Sequence, residues 1–151
     1  MRVITGIARG RKLVTLEGEE VVRPTTDRVK EAMFSIIQFD IPGKSVLDLF
    51  AGSGQLGIEA LSRGAEKAVF VDKSAEAFFF FIQNLKTCGL SDKATVINSD
   101  SFSFLRSTAE KFDIILIDPP YSRQMAETAL SLVDGVLKDG GIVMCETDYR
   151  E

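Results

Sequence analysis

The sequence contains no histidine, no tryptophan and only two cysteines among its 151 residues. Histidine is the side chain that most often serves as a general base and as a transition-metal ligand. Its absence argues against metal-dependent catalysis and against Ser–His or Cys–His nucleophiles, so we expect no metal site. The two thiols, Cys88 and Cys145, lie far apart within apolar stretches. We therefore predict buried thiols in a reducing compartment rather than a disulfide.

Long apolar segments are also absent. No run approaches the ~18 residues that a membrane-spanning helix needs, and the N-terminus lacks the apolar stretch and small-residue cleavage site of a signal peptide. We predict a cytoplasmic protein with no membrane partner. Its length, 45% hydrophobic content and 26% charged content are typical of one globular domain, which we expect to be a monomer spanning residues 1–151.

Charge is distributed unevenly along the chain. The net charge of −4 argues at first against a nucleic-acid partner. However, residues 1–12 carry four bases (Arg2, Arg9, Arg11 and Lys12) and no acid, whereas the remaining 139 residues carry 14 bases and 22 acids. A basic N-terminal arm on an acidic body is one form that a nucleic-acid contact takes. A solvated hairpin with scattered charges is the alternative.

Beyond residue 44, short β-branched runs alternate with helical patterns. The predicted strands are residues 45–50, 67–72, 94–98, 113–118 and 141–146, and the predicted helices are about residues 55–63, 74–88, 100–110 and 123–138. The strands are continuously apolar, as expected when both faces of a parallel sheet are buried. This alternation predicts an α/β fold with a Rossmann-like, doubly wound, mainly parallel sheet. Ligands of such sheets bind at the carboxyl ends of the strands.

The N-terminal part follows a different pattern. Residues 2–8 and 12–16 are two strand candidates joined by residues 9–11, which predicts a β-hairpin with the basic cluster at its tip. We treat residues 1–22 as this basic appendage.

Residues 23–44 form a second segment that contains a helix. Thr26 or Asp27 is its N-cap candidate, and the helix is predicted over about residues 27–39. Its buried face is predicted to consist of Val29, Met33, Ile36 and Ile37.

The predicted helix at residues 74–88 contains four consecutive phenylalanines. A core stripe is expected from Phe78, Phe81, Ile82 and Leu85. Phe79 or Phe80 must then lie outside the stripe, either covered by neighbouring elements or forming a patch for a partner.

A glycine-rich turn joins the first predicted strand of the sheet to its helix. Gly52, Gly54 and Gly57 form G-x-G-x-x-G, and Asp72 follows Gly52 by 20 residues at the end of the next strand. This arrangement is typical of a dinucleotide-type site, with a purely structural tight turn as the alternative. Gly52 and Gly54 would let the backbone approach a ligand without a Cβ clash.

The carboxylate of Asp48, just before this turn, bears on the kind of ligand. A dinucleotide would bring an anionic pyrophosphate to the turn, where Asp48 would repel it. S-adenosylmethionine instead brings a sulfonium and an ammonium group. Asp72 could accept both ribose hydroxyls, and Asp100 could accept from the adenine amino group or cap the following helix. The other candidate cofactor-binding residues at strand ends are Phe50, Lys73, Ser99, Ser101 and Asp118.

Residues 118–121 follow the fourth predicted strand of the sheet. A proline pair stops a strand, but that role does not explain the flanking Asp118 and Tyr121. The Asp118 carboxylate and the Pro119 carbonyl could accept both N–H groups of an exocyclic amine, while Pro120 stiffens the loop. Tyr121 could stack on an extruded base. We therefore assign these residues as catalytic candidates that align the amine with a methyl donor.

These motifs resemble those of a known family. Residues 48–54 resemble motif I and residues 118–121 resemble motif IV of class I amino-methyltransferases, which DNA adenine and RNA guanine enzymes share. The N-terminal motifs and the helix after the glycine turn are similar to the RsmD-type 16S rRNA guanine-N2 methyltransferases of bacteria. These segments are residues 2–6, 10–13, 23–31 and 57–65.

The resemblance implies methyl transfer from S-adenosylmethionine to the 2-amino group of one guanine, with 16S rRNA or the small ribosomal subunit as partner. Residues 45–151 would form the cofactor-binding core. The implied RNA-binding residues are Arg2, Arg9, Arg11, Lys12, Arg23, Thr25, Thr26 and Arg28.

One departure and several alternatives stay open. Only five residues follow Glu146, so we expect the C-terminal antiparallel hairpin of this class to be missing, which would leave a sheet edge unpaired. The alternatives are a DNA or RNA adenine-N6 methyltransferase, a dehydrogenase that uses the same glycine turn, and a non-catalytic RNA-binding assembly factor.

Overall fold

The protein is built on a parallel β-sheet of five strands in the order β3-β2-β1-β4-β5. The computed structural model describes residues 2–13, 26–118 and 123–145, with the side chains of residues 26, 27 and 123 excepted. The strands are β1 (Ser45–Leu49), β2 (Lys67–Asp72), β3 (Ala94–Asn98), β4 (Phe112–Ile117) and β5 (Leu137–Cys145). The helices are α1 (Thr26–Ile37), α2 (Gln55–Ser62), α3 (Ala75–Cys88), α4 (Ser101–Ser107) and α5 (Arg123–Leu132), with 3₁₀ turns at Ser91–Lys93 and Val133–Val136.

Helices cover both faces of the sheet, which confirms the predicted doubly wound α/β fold. Alternate residues of the strands point to opposite faces, so Val46 packs beneath α1, α2 and α3 while Leu47 packs beneath α4 and α5. All five residues of β1 are buried because β1 lies at the centre of the sheet. The outer strand β3 alternates between exposed and half-buried residues.

Three predicted boundaries are wrong. The helix expected over residues 123–138 ends at Leu132, and β5 begins at Leu137, several residues before the expected start. The polar, glycine-containing residues 138–141 form the irregularity of this strand: Leu137 pairs with Phe112, and regular pairing with β4 resumes at Ile142, opposite Ile114. The helix expected over residues 100–110 ends at Ser107 because Thr108 is extended.

The predicted N-terminal hairpin forms only near its base. Arg2 and Lys12 form an isolated antiparallel bridge, and the amide of Val3 donates to the carbonyl of Arg11 at 3.0 Å. The strand predicted over residues 2–8 does not form, because residues 5–10 form bends and turns and the amides of residues 4, 5, 7 and 8 bond to α2 instead. Residues 14–16 lie outside the described part of the chain.

The predicted buried faces of two helices are also corrected. In α1, Phe34 is fully buried and Ile36 is 72% exposed, so the true apolar face is rotated from the expected one. In α3, Phe81 packs against Phe70 at 5.8 Å between ring centroids, whereas Ile82 is 48% exposed. The exposed phenylalanine of α3 is Phe79, in agreement with one of the two expected arrangements.

The remaining expectations about the chain concern its thiols, membranes and C-terminus. Cys88 and Cys145 are half-buried rather than buried. Within the described ranges, each helix is too short or too polar to cross a bilayer. The expected absence of a C-terminal hairpin bears on residues 146–151, which lie outside the described residues.

Candidate active site

The turn after β1 is held in a conformation that most side chains avoid. Phe50 has a φ of 57°, in the left-handed region, and Gly52 and Gly54 follow with φ of 59° and 81°. The amide of Phe50 donates to the hydroxyl of Ser101 at 3.2 Å. The Phe50 ring packs edge-on against Phe102 at 5.6 Å. These contacts from α4 offset the backbone strain at Phe50.

Asp72 fastens the same turn to the end of β2. Its Oδ2 accepts from the amide of Gly52 at 2.9 Å, and its Oδ1 accepts from the amide of Ser74 at 2.8 Å. Each carboxylate oxygen retains a second acceptor position. The expected proximity of Asp72 to the glycine turn is confirmed, and the side chain is half-buried at the carboxyl edge of the sheet.

Asp48 is the most constrained carboxyl group of the site. It lies in β1 between Phe70 and Leu116 and is 1% exposed. Its Oδ2 accepts from the amide of Gly57 at 2.9 Å. Its Oδ1 is buried and has no hydrogen-bond partner among the described residues.

Burial raises the pKa of Asp48 from 3.8 to about 8. The hydrogen bond from Gly57 lowers this pKa, while the negative charges of Asp118 and Asp72 raise it further. The three carboxyl groups therefore lie close enough to interact at the ends of three adjacent strands. Because burial penalises the charged form, Asp48 is mostly protonated at neutral pH in the ligand-free protein.

The glycines of the turn serve the packing of the protein. A Cβ on Gly57 would lie 2.3 Å from Cε1 of Phe70, so only glycine lets α2 approach β2 this closely. A Cβ on Gly54 would lie 3.0 Å from Cδ1 of Phe81. Glycine at position 54 therefore serves packing against Phe81, and contact of its backbone with a ligand stays a prediction.

Asp100 follows β3 and caps α4. Its Oδ2 accepts from the amide of Ser103 at 3.0 Å, which confirms the N-cap role that its position suggested. Ser99 donates its amide to the carbonyl of Asp72 at 3.0 Å, so the ends of β2 and β3 are joined beside Asp72. Lys73 is exposed at the same edge.

The catalytic candidates are described only in part. Asp118 directly follows β4 and is half-buried, at the edge that also carries Asp48 and Asp72. The other catalytic candidates (Pro119, Pro120 and Tyr121) lie outside the described residues, as do Arg23, Thr25 and the side chain of Thr26.

The basic residues of the N-terminus lie away from these carboxylates. The basic turn (residues 9–12) is exposed, and Ala8 just before it donates its amide to Oγ of Ser62 at 3.0 Å. Ser62 ends α2, which begins at the carboxyl edge of the sheet and whose eight residues span about 12 Å. The basic cluster follows a turn enclosed by the antiparallel bridge between Arg2 and Lys12, as the hairpin prediction expected, and this turn lies at the amino end of the sheet.

Comparison with known proteins agrees with this architecture. The family model described as conserved hypothetical protein 95 matches residues 1–151. The chain is 43% identical to YlbH of Bacillus subtilis over 153 residues, covering 98% of this chain and 83% of the relative. It is 40% identical to Ribosomal RNA small subunit methyltransferase D of Haemophilus influenzae, covering 98% of this chain and 79% of the relative. The solved structure of yhhF from Escherichia coli superposes with a TM-score of 0.88 at 35% identity, covering 99% and 81% of the two chains.

The chain belongs to the RsmD family. Its resemblance to this family and its Rossmann-like, class I methyltransferase fold are thereby confirmed.

Two residues at the site of this RsmD-family chain escaped sequence reasoning. Asn84, buried on α3, donates its side-chain amide to the carbonyl of Ser53 at 3.0 Å and supports the turn from behind. Gln55 opens α2, and its buried Oε1 has no hydrogen-bond partner among the described residues. The available signal was a polar residue at Asn84, beside Phe81 and Leu85 on an otherwise apolar helix face.

Proposed function

We propose that this RsmD-family chain transfers a methyl group from S-adenosylmethionine to the exocyclic N2 of a specific guanine in bacterial 16S rRNA. The products are the methylated guanine and S-adenosylhomocysteine. The rRNA class follows the names of relatives such as the Haemophilus influenzae small-subunit methyltransferase, and the guanine-N2 position follows the motif resemblance. The proposal has the chain acting as a monomer in the cytoplasm, on free rRNA or on the small subunit.

The observation that carries the cofactor assignment is the pair of buried acceptors at the glycine turn. Asp48 Oδ1 and Gln55 Oε1 are both without hydrogen-bond partners among the described residues. A ligand that brings positive charge to this edge would favour the ionised form of Asp48, and its hydrogen-bond donors would then satisfy both oxygens. A pyrophosphate would bring only acceptors and negative charge next to Asp72 and Asp118 and would oppose ionisation of Asp48, so a dinucleotide fits the site poorly.

The residues present at the site fit S-adenosylmethionine. When bound, this cofactor supplies a methyl group on a positively charged sulfur. Asp72 offers each carboxylate oxygen to a ribose hydroxyl, and Asp100 offers the oxygen that does not cap α4 to the adenine amino group. The remaining candidate cofactor contacts at this edge are Phe50, Gly52, Gly54, Lys73, Ser99, Ser101 and Asp118.

The target amine is assigned to the segment after β4. An exocyclic amine is a weak nucleophile because its lone pair is delocalised into the base. Asp118 and the carbonyl of Pro119 would accept its two N–H groups and so turn the lone pair toward the methyl group. Stacking of the base on Tyr121 would contribute about 1–3 kcal/mol. Most of the acceleration would then come from alignment of the reacting atoms.

Contacts to the RNA backbone are assigned to basic residues on two parts of the molecule. The first set comprises Arg23, Thr25, Thr26 and Arg28, of which Thr26 and Arg28 lie in the first turn of α1. The basic turn, at the amino end of the sheet, would contact phosphates farther from the target nucleotide.

The decisive experiment is transfer of labelled methyl from S-adenosylmethionine to unmodified 16S rRNA or small subunits. Nucleoside analysis should find the label on N2 of guanine. Label on N6 of adenine would refute the proposal in favour of an adenine methyltransferase.

A single substitution separates the enzyme from a non-catalytic assembly factor. Asp118→Ala should lower turnover by about 100-fold or more, because alignment of the amine is lost, while calorimetry still detects cofactor binding. Full biological function of this variant would favour the assembly factor. In the same calorimeter, binding of NAD without any response to S-adenosylmethionine would favour a dehydrogenase.

A further inference from the structure

A glutamate is fully buried at the middle of α2. Glu59 is 0% exposed, although an isolated buried carboxylate is strongly unfavourable. Its two oxygens accept from consecutive amides of the N-terminal segment, Oε1 from Ile4 at 2.8 Å and Oε2 from Thr5 at 3.0 Å. One side chain therefore binds two backbone donors that are 55 and 54 residues away in sequence.

Two cations complete the environment of Glu59. Arg63 donates from Nε to Oε2 at 2.8 Å, and its guanidinium lies 5.0 Å from the ring centroid of Phe34. Lys30, which is 1% exposed, has its Nζ 3.4 Å from Oε1 and donates to the carbonyl of Arg2 at 2.9 Å. Glu59 thus connects α1, α2 and the N-terminal segment through one buried group.

Ser62, one turn farther along α2, fastens the same segment. Its Oγ donates to the carbonyl of Thr5 at 2.6 Å and accepts from the amide of Ala8 at 3.0 Å. Its carbonyl accepts from the amide of Ile7 at 2.9 Å. A Cβ on Gly6 would lie 1.8 Å from that carbonyl oxygen, so residues 4–8 fit α2 only with glycine at position 6.

This anchorage lies toward the amino end of the sheet, and its hydrogen bonds go to the N-terminal segment rather than to the glycine turn. Apolar side chains could fill the same volume at lower energetic cost, because burying charges is expensive even when they are paired. The hydrogen bonds of the charged cluster are directional. The amides of Ile4 and Thr5 and the carbonyl of Arg2 must therefore occupy defined positions. The basic turn begins one residue after Ala8, so its charges are held in a defined place by these bonds.

We propose that Glu59 is a positioning residue. It holds the basic turn where its charges can contact RNA, at a fixed place relative to the carboxyl edge of the sheet. This inference rests on the proposed rRNA substrate. Loss of Glu59 should weaken RNA binding through the basic turn without changing cofactor binding at the opposite edge.

The test compares Glu59→Gln with Gly6→Ala and with a control, Glu110→Gln. Glutamine cannot replace both acceptor oxygens of glutamate toward Ile4 and Thr5, because its side-chain amide has one acceptor oxygen and one NH2 donor group. Gly6→Ala displaces the same segment without altering a charge, which keeps the test informative should Glu59→Gln fold poorly. Glu110 pairs with Lys67 on the surface, so its substitution changes the same residue type without touching the segment.

Three measurements on each variant give the expected pattern. The KM for RNA should rise about tenfold in Glu59→Gln and Gly6→Ala, while kcat and the Kd for S-adenosylhomocysteine stay within about twofold of wild type. The dependence of RNA binding on salt should become shallower, since each lost phosphate contact removes about 0.7–0.9 from the logarithmic slope. Adding Arg9→Gln, Arg11→Gln and Lys12→Gln to Glu59→Gln should weaken binding little further. Glu110→Gln should behave as wild type.

The outcomes distinguish failure of this inference from failure of the proposed function on which it rests. Hydrogen exchange at the amides of Ile4 and Thr5 reports whether the segment has been displaced. An unchanged KM and salt slope in variants whose segment is displaced would overturn the role of Glu59, as would a parallel loss of cofactor affinity. If wild-type chain neither binds nor methylates rRNA, the proposed function fails and this inference fails with it.

Discussion

Replacing Asp48 by asparagine should remove a dependence of folding stability on pH. Burial raises the pKa of Asp48 from 3.8 to about 8, so at pH 6 the group is protonated in the folded protein and ionised in the unfolded chain. Between these two pKa values the folded state binds one more proton than the unfolded state. The free energy of unfolding therefore falls as pH rises, by about 1.4 kcal/mol per pH unit. Between about pH 6 and pH 7.5 the loss should reach about 2 kcal/mol.

The composition of the chain reduces the number of other groups that could titrate in this pH range. There is no histidine, and burial raises the pKa of the Cys88 thiol above its ordinary value. Contributions that are common to both variants cancel in their difference. The amide side chain introduced by Asp48→Asn keeps a carbonyl oxygen for the amide of Gly57 but has no proton to exchange, so the stability of this variant should lack the slope.

The measurement is urea unfolding of both variants, followed by far-UV circular dichroism at about pH 6 and about pH 7.5 and constant ionic strength. The stability difference between Asp48→Asn and wild type should shift by about 2 kcal/mol in favour of the variant at the higher pH. Asp113→Asn is the matched control. The hydrogen bond from the Ser45 amide lowers the pKa of Asp113, so its stabilising effect is complete at both pH values. A difference between wild type and Asp48→Asn that is equal at both pH values would refute the reasoning.

Other substitutions test the packing and the caps around the site, each by its effect on urea or thermal unfolding. Gly57→Ala should cost about 1–3 kcal/mol because the new Cβ overlaps Phe70; unchanged stability would show that α2 moves away freely. Phe81→Ala should cost about 3–5 kcal/mol, whereas Phe79→Ala should change stability by less than about 0.5 kcal/mol, and equal effects would contradict the orientation of α3. Asp100→Ala should cost about 1 kcal/mol through loss of the cap on α4, and no loss would mean that the cap contributes little.

Much of the candidate site could be predicted from sequence because it depends on local pattern and topology. Parallel strands place their carboxyl ends at one edge of a sheet, so apolar runs that end in Asp72 and Asp118 bring these residues together with the glycine turn. The cap role of Asp100 was also readable, since a carboxylate before a helical pattern is a common N-cap.

The errors arose where a contact depends on residues distant in sequence. Helical periodicity limits the apolar face of α1 only loosely, and the burial of Phe34 rather than Ile36 follows from packing against distant residues, among them Arg63 at the C-cap of α2. Similarly, residues 5–8 left the expected strand because α2 offers their amides the acceptors of Glu59 and Ser62. Neither partner is visible in the local sequence of the segment.

By itself the sequence determined the order of strands and helices, the doubly wound sheet, and the edge at which a ligand would bind, because hydrophobic period and strand-end chemistry are local properties. Only the tertiary structure decided the protonation of Asp48 and the place of the basic turn. Burial of a carboxyl group depends on every element packed around it, so its pKa cannot be read from its neighbours in sequence. The basic turn took its position from long-range bonds to α2, at the amino end of the sheet and away from the carboxylates.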